Sequence, residues 1–109
     1  MNEQITAHLE KFPDAVTEIF AALRRLIYDS VSAEVEETMW ARLPSYCAGD
    51  RFVRLIPFKD HINIEASAIS THTGRLANYR ITPKGMLQIY LNQTIPSEVL
   101  SQVFAETLG

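Results

Sequence analysis

Residues 51–66 read Arg-Phe-Val-Arg-Leu-Ile-Pro-Phe-Lys-Asp-His-Ile-Asn-Ile-Glu-Ala. Two alternating stretches, Arg51 to Pro57 and His61 to Ala66, flank the turn Pro57-Phe58-Lys59-Asp60 and predict a β-hairpin. With Phe58 and Lys59 as a two-residue loop, Leu55 pairs with Ile62 and Val53 with Ile64. Those four aliphatic residues then share one face, and Phe52, Arg54, His61, Asn63 and Glu65 share the other. A half-buried antiparallel sheet is the expectation, with one side apolar and one side polar and aromatic.

On the N-terminal side, Ala41 to Cys47 predicts a strand joined to Arg51–Pro57 by Cys47-Ala48-Gly49-Asp50. Pro44 lacks a backbone donor, which places that strand at a sheet edge or a bulge. Upstream, Ile5 and Leu9 mark a short helix over residues 2–11. Pro13 opens a longer helix to about Val31, with Val16, Ile19, Phe20, Leu23, Leu26 and Ile27 forming a buried stripe. Ser32 reads as the cap of another short helix, with Glu34, Glu36 and Glu37 at its positive end.

On the C-terminal side, Ser70 to Tyr79 reads as a helix or helical turn between strands. Met86 to Asn92 reads as a strand, with Leu87, Ile89 and Leu91 inward and Met86, Gln88 and Tyr90 outward. Ile95-Pro96-Ser97 opens a closing helix that buries Val99, Leu100, Val103 and Phe104. The expected fold is α+β: one domain over 1–109, with N-terminal helices in 1–39, a sheet region in 40–92 and a helix over 96–108. About four antiparallel strands would carry helices on one face.

The chain has 109 residues, 47% of them hydrophobic and 21% charged, which is the balance of an ordinary globular domain rather than a disordered one. Cys47 is the single cysteine, so no disulfide framework forms within the chain. No apolar run reaches membrane-spanning length and the first residues lack a basic signal, so the expected setting is the cytoplasm. The net charge of −3 is unevenly spread: −5 over residues 1–41, +4 over 42–84 and −2 beyond. The molecule therefore reads as bipolar, with an acidic helical end and an anion-friendly middle.

Enzyme motifs are missing: there is no Gly-rich phosphate loop, nucleophile elbow or metalloprotease helix motif. Non-catalytic binding is thus the expectation. His8, His61 and His72 are scattered and none sits at a zinc-site spacing from Cys47. Asp14, Glu18, Glu34, Glu36 and Glu37 are the carboxylates that could hold a hard cation weakly. A cluster of Arg42, Tyr46, Lys59, His61, Lys84 and Tyr90 is the candidate ligand- or partner-binding set, suited to a small molecule or anion if its members converge. An open sheet face bearing Phe52, Met86 and Tyr90 leaves a homodimer open as well. Nucleic acid fits poorly, given an isoelectric point near 5.5 and no RNA-binding motif.

Three stretches together carry a family resemblance: Trp40-Ala41-Arg42-Leu43-Pro44-Ser45-Tyr46, Pro57-Phe58-Lys59-Asp60-His61-Ile62, and Tyr79-Arg80-Ile81-Thr82-Pro83-Lys84-Gly85-Met86. With the following Ile95-Pro96 helix they resemble the YdhG-like family of small bacterial proteins, from residue 13 to the end. The resemblance implies a frataxin-like fold and singles out Pro44, Tyr46, Lys59, His61, Lys84 and Gly85. Some members of that family are described as iron chaperones, which implies weakly held iron, no tightly bound cofactor, and an iron-acceptor or iron–sulfur assembly protein as partner.

Overall fold

The apolar stripe of the second helix sets the layering. In a computed structural model that describes all 109 residues, α1 (Glu3–Leu9) and α2 (Asp14–Ser30) bury Ile5, Leu9, Val16, Phe20, Leu23 and Ile27. The Asn2 side-chain oxygen caps α1, accepting from the amides of Gln4 (2.7 Å) and Ile5 (3.3 Å). The closing helix α3 (Ser97–Leu108) buries Val99, Leu100, Val103 and Phe104, as its spacing predicts. All three helices cover the sheet face that carries Val53, Leu55, Ile62, Ile64, Leu87 and Ile89.

The sheet has six antiparallel strands rather than about four: β1 (Glu36–Trp40), β2 (Leu43–Ala48), β3 (Arg51–Pro57), β4 (His61–Ala66), β5 (Arg80–Ile81) and β6 (Leu87–Tyr90). Their spatial order is β1-β2-β3-β4-β6-β5. The first extra strand, β1, replaces the short helix expected after Ser32. Glu37 and Met39 turn toward the helices while Glu36, Thr38 and Trp40 turn away, an alternation that the run of glutamates disguised. The second extra strand, β5, adds an outer edge beside β6. Where a helix or helical turn is expected over 70–79, residues 67–71 and 73–76 form short 3-10 turns, starting earlier and ending before Tyr79. Ala68 N–H, His72 and Arg75 tie that connection to Thr107, Glu106 and Gln102 of α3.

The β3–β4 hairpin keeps its expected faces but shifts its register. Leu55 pairs with Ile64 and Pro57 with Ile62, so Lys59 and Asp60 form the loop, closed by Phe58 N–H to the His61 carbonyl (2.8 Å). A two-residue slip conserves side-chain orientation, which is why the face assignment survives. Pro44 is not on an edge strand: it pairs with Met39, and the ladder to β3 begins only at Ser45, leaving its missing donor uncalled for. Leu91 is exposed rather than inward, because β6 ends at Tyr90, where Gln93 closes a turn by bonding both the Tyr90 amide and carbonyl. No helix is long and apolar enough to cross a membrane.

Candidate functional site

On the helix side of the sheet, Glu37 is enclosed by donors. Its Oε1 accepts from the Asn2 amide (2.7 Å) and Arg24 Nη2 (3.3 Å); its Oε2 accepts from Arg24 Nε (2.6 Å) and the Tyr46 hydroxyl (2.8 Å). Burial alone would push this carboxyl up, but the hydrogen bonds from Arg24, Asn2 and Tyr46 outweigh it and hold it below its ordinary value. Tyr46 is fully buried; burial first and then the Glu37 carboxylate push its phenol far up, so it stays a donor. The bond to Glu37 in turn raises Arg24. This cluster joins the N-terminal segment, α2, β1 and β2, and its acceptor capacity is fully used.

The opposite face carries no helix and instead builds two stacks of its own. In the first, the Arg54 guanidinium lies 3.8 Å from the Phe52 ring centroid and 4.3 Å from that of Trp40, while Nη1 pairs with Glu65 Oε1 at 3.1 Å. In the second, the His61 ring lies between Phe58 and Tyr90, each centroid 4.6 Å away. Asp60 Oδ1 sits 2.7 Å from His61 Nδ1, and the Gln88 amide nitrogen lies 3.5 Å from Nε2. This network assigns the Nδ1–H tautomer, with Asp60 as acceptor and Gln88 as donor. Each stack ends in an exposed aromatic: Trp40 is 58% and Phe58 41% exposed. Two buried atoms on this face have no hydrogen-bond partner, Arg54 Nε and Asn63 Oδ1.

The sequence-derived binding set is divided by this geometry. His61 and Tyr90 are cross-strand partners, with Lys59 in the adjoining turn. Tyr46 lies on the other face, inside the core. Arg42, at the β1–β2 turn, lines a groove against Gln4, His8 and Lys11 of the helical side. Lys84 precedes Leu87, which pairs with Ile64, so about 10 Å of strand rise separates it from His61 before the turn is counted. The expected single pocket of Tyr46, Lys59, His61 and Lys84 therefore does not form, because a strand's alternate residues face opposite sides of the sheet.

The carboxylate set is divided too. Asp14 and Glu18 line one groove with Glu10 and Phe12 at the α1–α2 corner. Glu34 and Glu36 flank a depression beside Cys47. Glu37 is committed to Arg24, Tyr46 and Asn2. No three His, Cys, Asp or Glu side chains come together as a metal-holding group. Burial, with Glu36 adding to it, raises the Cys47 thiol and keeps it protonated. Its position opposite Phe52 puts it about 20 Å of strand rise from His61, so the two do not form a nucleophile–base pair.

A cleft lies at the end of the sheet remote from His61, between the β2–β3 turn, the 3-10 turn at 67–71 and the turn before β6. Arg51 and Lys84 line it. Sequence reading passed over Trp40, Phe58 and Arg51 as site residues. The cross-strand neighbours that give them a role become visible only once β1 exists and the hairpin register is known. Comparison of the chain with protein-family models, with curated proteins and with solved structures gives no match.

Proposed function

We propose that this chain is a non-catalytic cytoplasmic binding module, of the YdhG-like and frataxin-like kind its motifs resemble, that docks an acidic segment of a partner protein on its open sheet face. The construction of that face is what supports the reading. Two cation- or imidazole-centred stacks end in exposed Trp40 and Phe58, the kind of rigid aromatic anchor that dominates binding energy at protein interfaces. Arg80 pairs with Gln88 and so shares this face, Lys59 stands in the adjoining turn, and neither is in an ion pair. Glu65 is already paired with Arg54, while Asp60 accepts from the neutral His61 ring and keeps its charge. Around the His61 stack the free charges are Lys59 and Arg80 against Asp60, which favours an acidic segment at that end, while Glu36 stands apart on the β1 edge.

The resemblance supplies a cargo for this module, ferrous iron, and makes the partner an iron-acceptor or iron–sulfur assembly protein. Of the candidate acids, Asp14 and Glu18 are one helical turn apart and share a groove with Glu10, so that groove is where weak iron would sit.

Titration of the isotope-labelled protein with a peptide alternating glutamate with leucine and phenylalanine tests the docking reading. Amide shifts should centre on β3, β4 and β6 and on the Trp40 indole, and should fall away in Trp40→Ala and Phe58→Ala. The same peptide with lysine in place of glutamate should bind far more weakly. Equal response to both peptides, or shifts centred on the helical layer, would rule the reading out.

A further inference from the structure

The cleft remote from His61 encloses about 550 Å3, within the size range of small-molecule sites. Its floor is apolar where Phe52, Ile69 and Ile81 reach it, and its rim carries Arg51 and Lys84. Neither cation is in an ion pair. Of the two acids that also line the cleft, Glu65 is held by Arg54 at 3.1 Å, leaving Asp50 alone against two free cations.

Lys84 is held where it is by its turn. Gly85 N–H donates to the Thr82 carbonyl (2.8 Å), Thr82 N–H to the Met86 carbonyl (2.8 Å), and Met86 N–H to Thr82 Oγ1 (3.1 Å). Pro83 presets the first central position of that turn, and Gly85 supplies the positive φ of +86° that returns the chain to β6. Arg51 is fixed from the other side as the first residue of β3, just after the turn in which Gly49 takes a φ of +66°. Two tight turns thus place an ammonium and a guanidinium among the residues lining one partly apolar cleft, the guanidinium on the side of Gly109, a lining suited to an oxyanion group on a small apolar body.

The geometry points to this cleft as a binding site for a small organic anion, a carboxylate or phosphate ester whose charged group lies between Arg51 and Lys84 and whose apolar body covers Phe52, Ile69 and Ile81. The cleft shares Phe52 and Glu65 with the Arg54 stack of the open face, but its cations, Arg51 and Lys84, belong to neither stack.

Phenyl phosphate, benzoate, inorganic phosphate and benzyl alcohol, each titrated into the labelled protein, test the assignment. At least one of the two aromatic anions should shift the amides of residues 50–52, 67–71 and 84–85 saturably. Inorganic phosphate, which lacks the apolar body, and benzyl alcohol, which lacks the charge, should each bind at least about tenfold more weakly. A preference for phenyl phosphate assigns a phosphate ester, and a preference for benzoate a carboxylate. Arg51→Gln and Lys84→Gln should each weaken the tighter anion about tenfold, while Arg25→Gln on the far side of α2 leaves it unchanged. Both substituted side chains are exposed, so folding is retained and visible in the same spectra. No saturable shift by either aromatic anion at about 10 mM overturns the assignment. Equal weakening by the Arg25 substitution overturns it as well.

Discussion

The two faces of the sheet treat buried polar groups in opposite ways. On the helix side, the Glu37 carboxylate takes hydrogen bonds from Asn2, Arg24 and Tyr46 and leaves none of its own capacity idle. On the open side, Arg54 pairs with Glu65 and Asn63 sits among its neighbours, yet Arg54 Nε and Asn63 Oδ1 find no partner. A completed network fixes four chain segments and stabilises the fold, whereas an uncompleted one costs free energy in the isolated molecule. The difference separates the network that holds the protein together from a face whose polar groups are left incompletely paired.

Breaking the completed side should have the largest effect. Glu37→Ala leaves the buried Tyr46 hydroxyl and the Arg24 guanidinium without their acceptor, and should cost about 3 kcal/mol in urea unfolding. Tyr46→Phe, which removes one donor and leaves the ion pair, should cost about 1 kcal/mol. The pH dependence has a definite sign. Because the folded Glu37 carboxyl lies below its ordinary value, its contribution is complete above the ordinary carboxylate range and drains away as pH falls through the lowered folded value. Glu37→Gln should therefore flatten the acid side of the stability profile; an unchanged acid limb would show that the cluster is not what sets it.

The β1–β2 turn offers the next effect, and it shows where sequence reading stops. Trp40 pairs with Leu43, so Ala41 and Arg42 form a two-residue loop with φ of 49° and 67°. Such a turn favours Asn-Gly, and residues with a Cβ are strained there. Replacing Ala41-Arg42 by Asn-Gly should raise stability by about 1 kcal/mol without altering the open sheet face. Nothing in Ala-Arg signals a turn, so β1 was hidden at one end by its turn and at the other by Glu34, Glu36 and Glu37, which mimic a helix start. Glu37's true partner, Arg24, lies 13 residues away and belongs to another element, a non-local pairing that spacing rules do not reach. By contrast, the α2 and α3 stripes and the alternation in β3, β4 and β6 were legible, because burial of one face imposes a local period. The candidate site fared worse for the same reason. His61 and Tyr90 meet as cross-strand partners, but Tyr46 and Lys84 depend on which face and which end of the sheet each strand delivers.

The uncompleted side should respond the other way. Asn63 is only 8% exposed; its Nδ2 donates to Met86 Sδ but its Oδ1 is unpaired, so Asn63→Leu exchanges a half-satisfied amide for an apolar side chain of similar size. Its stability should change by no more than about 1 kcal/mol, in the stabilising direction, as measured by thermal unfolding. A loss as large as that of Glu37→Ala would erase the distinction between the faces.

The smallest effect concerns the acids that belong to neither network. Ferrous iron added anaerobically, with magnesium as control, should broaden amides around Glu10, Asp14 and Glu18 and leave the Glu37 region untouched, because the four donors around Glu37 would have to be displaced before a cation could enter. Asp14→Asn with Glu18→Gln should abolish the broadening. Thermal stability should hardly move, since a site of two carboxylates on one exposed helix face binds weakly and stabilises only as the logarithm of one plus the ratio of free metal to Kd. Broadening that instead follows Glu34, Glu36 and Glu37 would mean that the cluster opens to admit the metal. In that case the face read as purely structural would also be the working one, and the contrast between the two sides of the sheet would collapse.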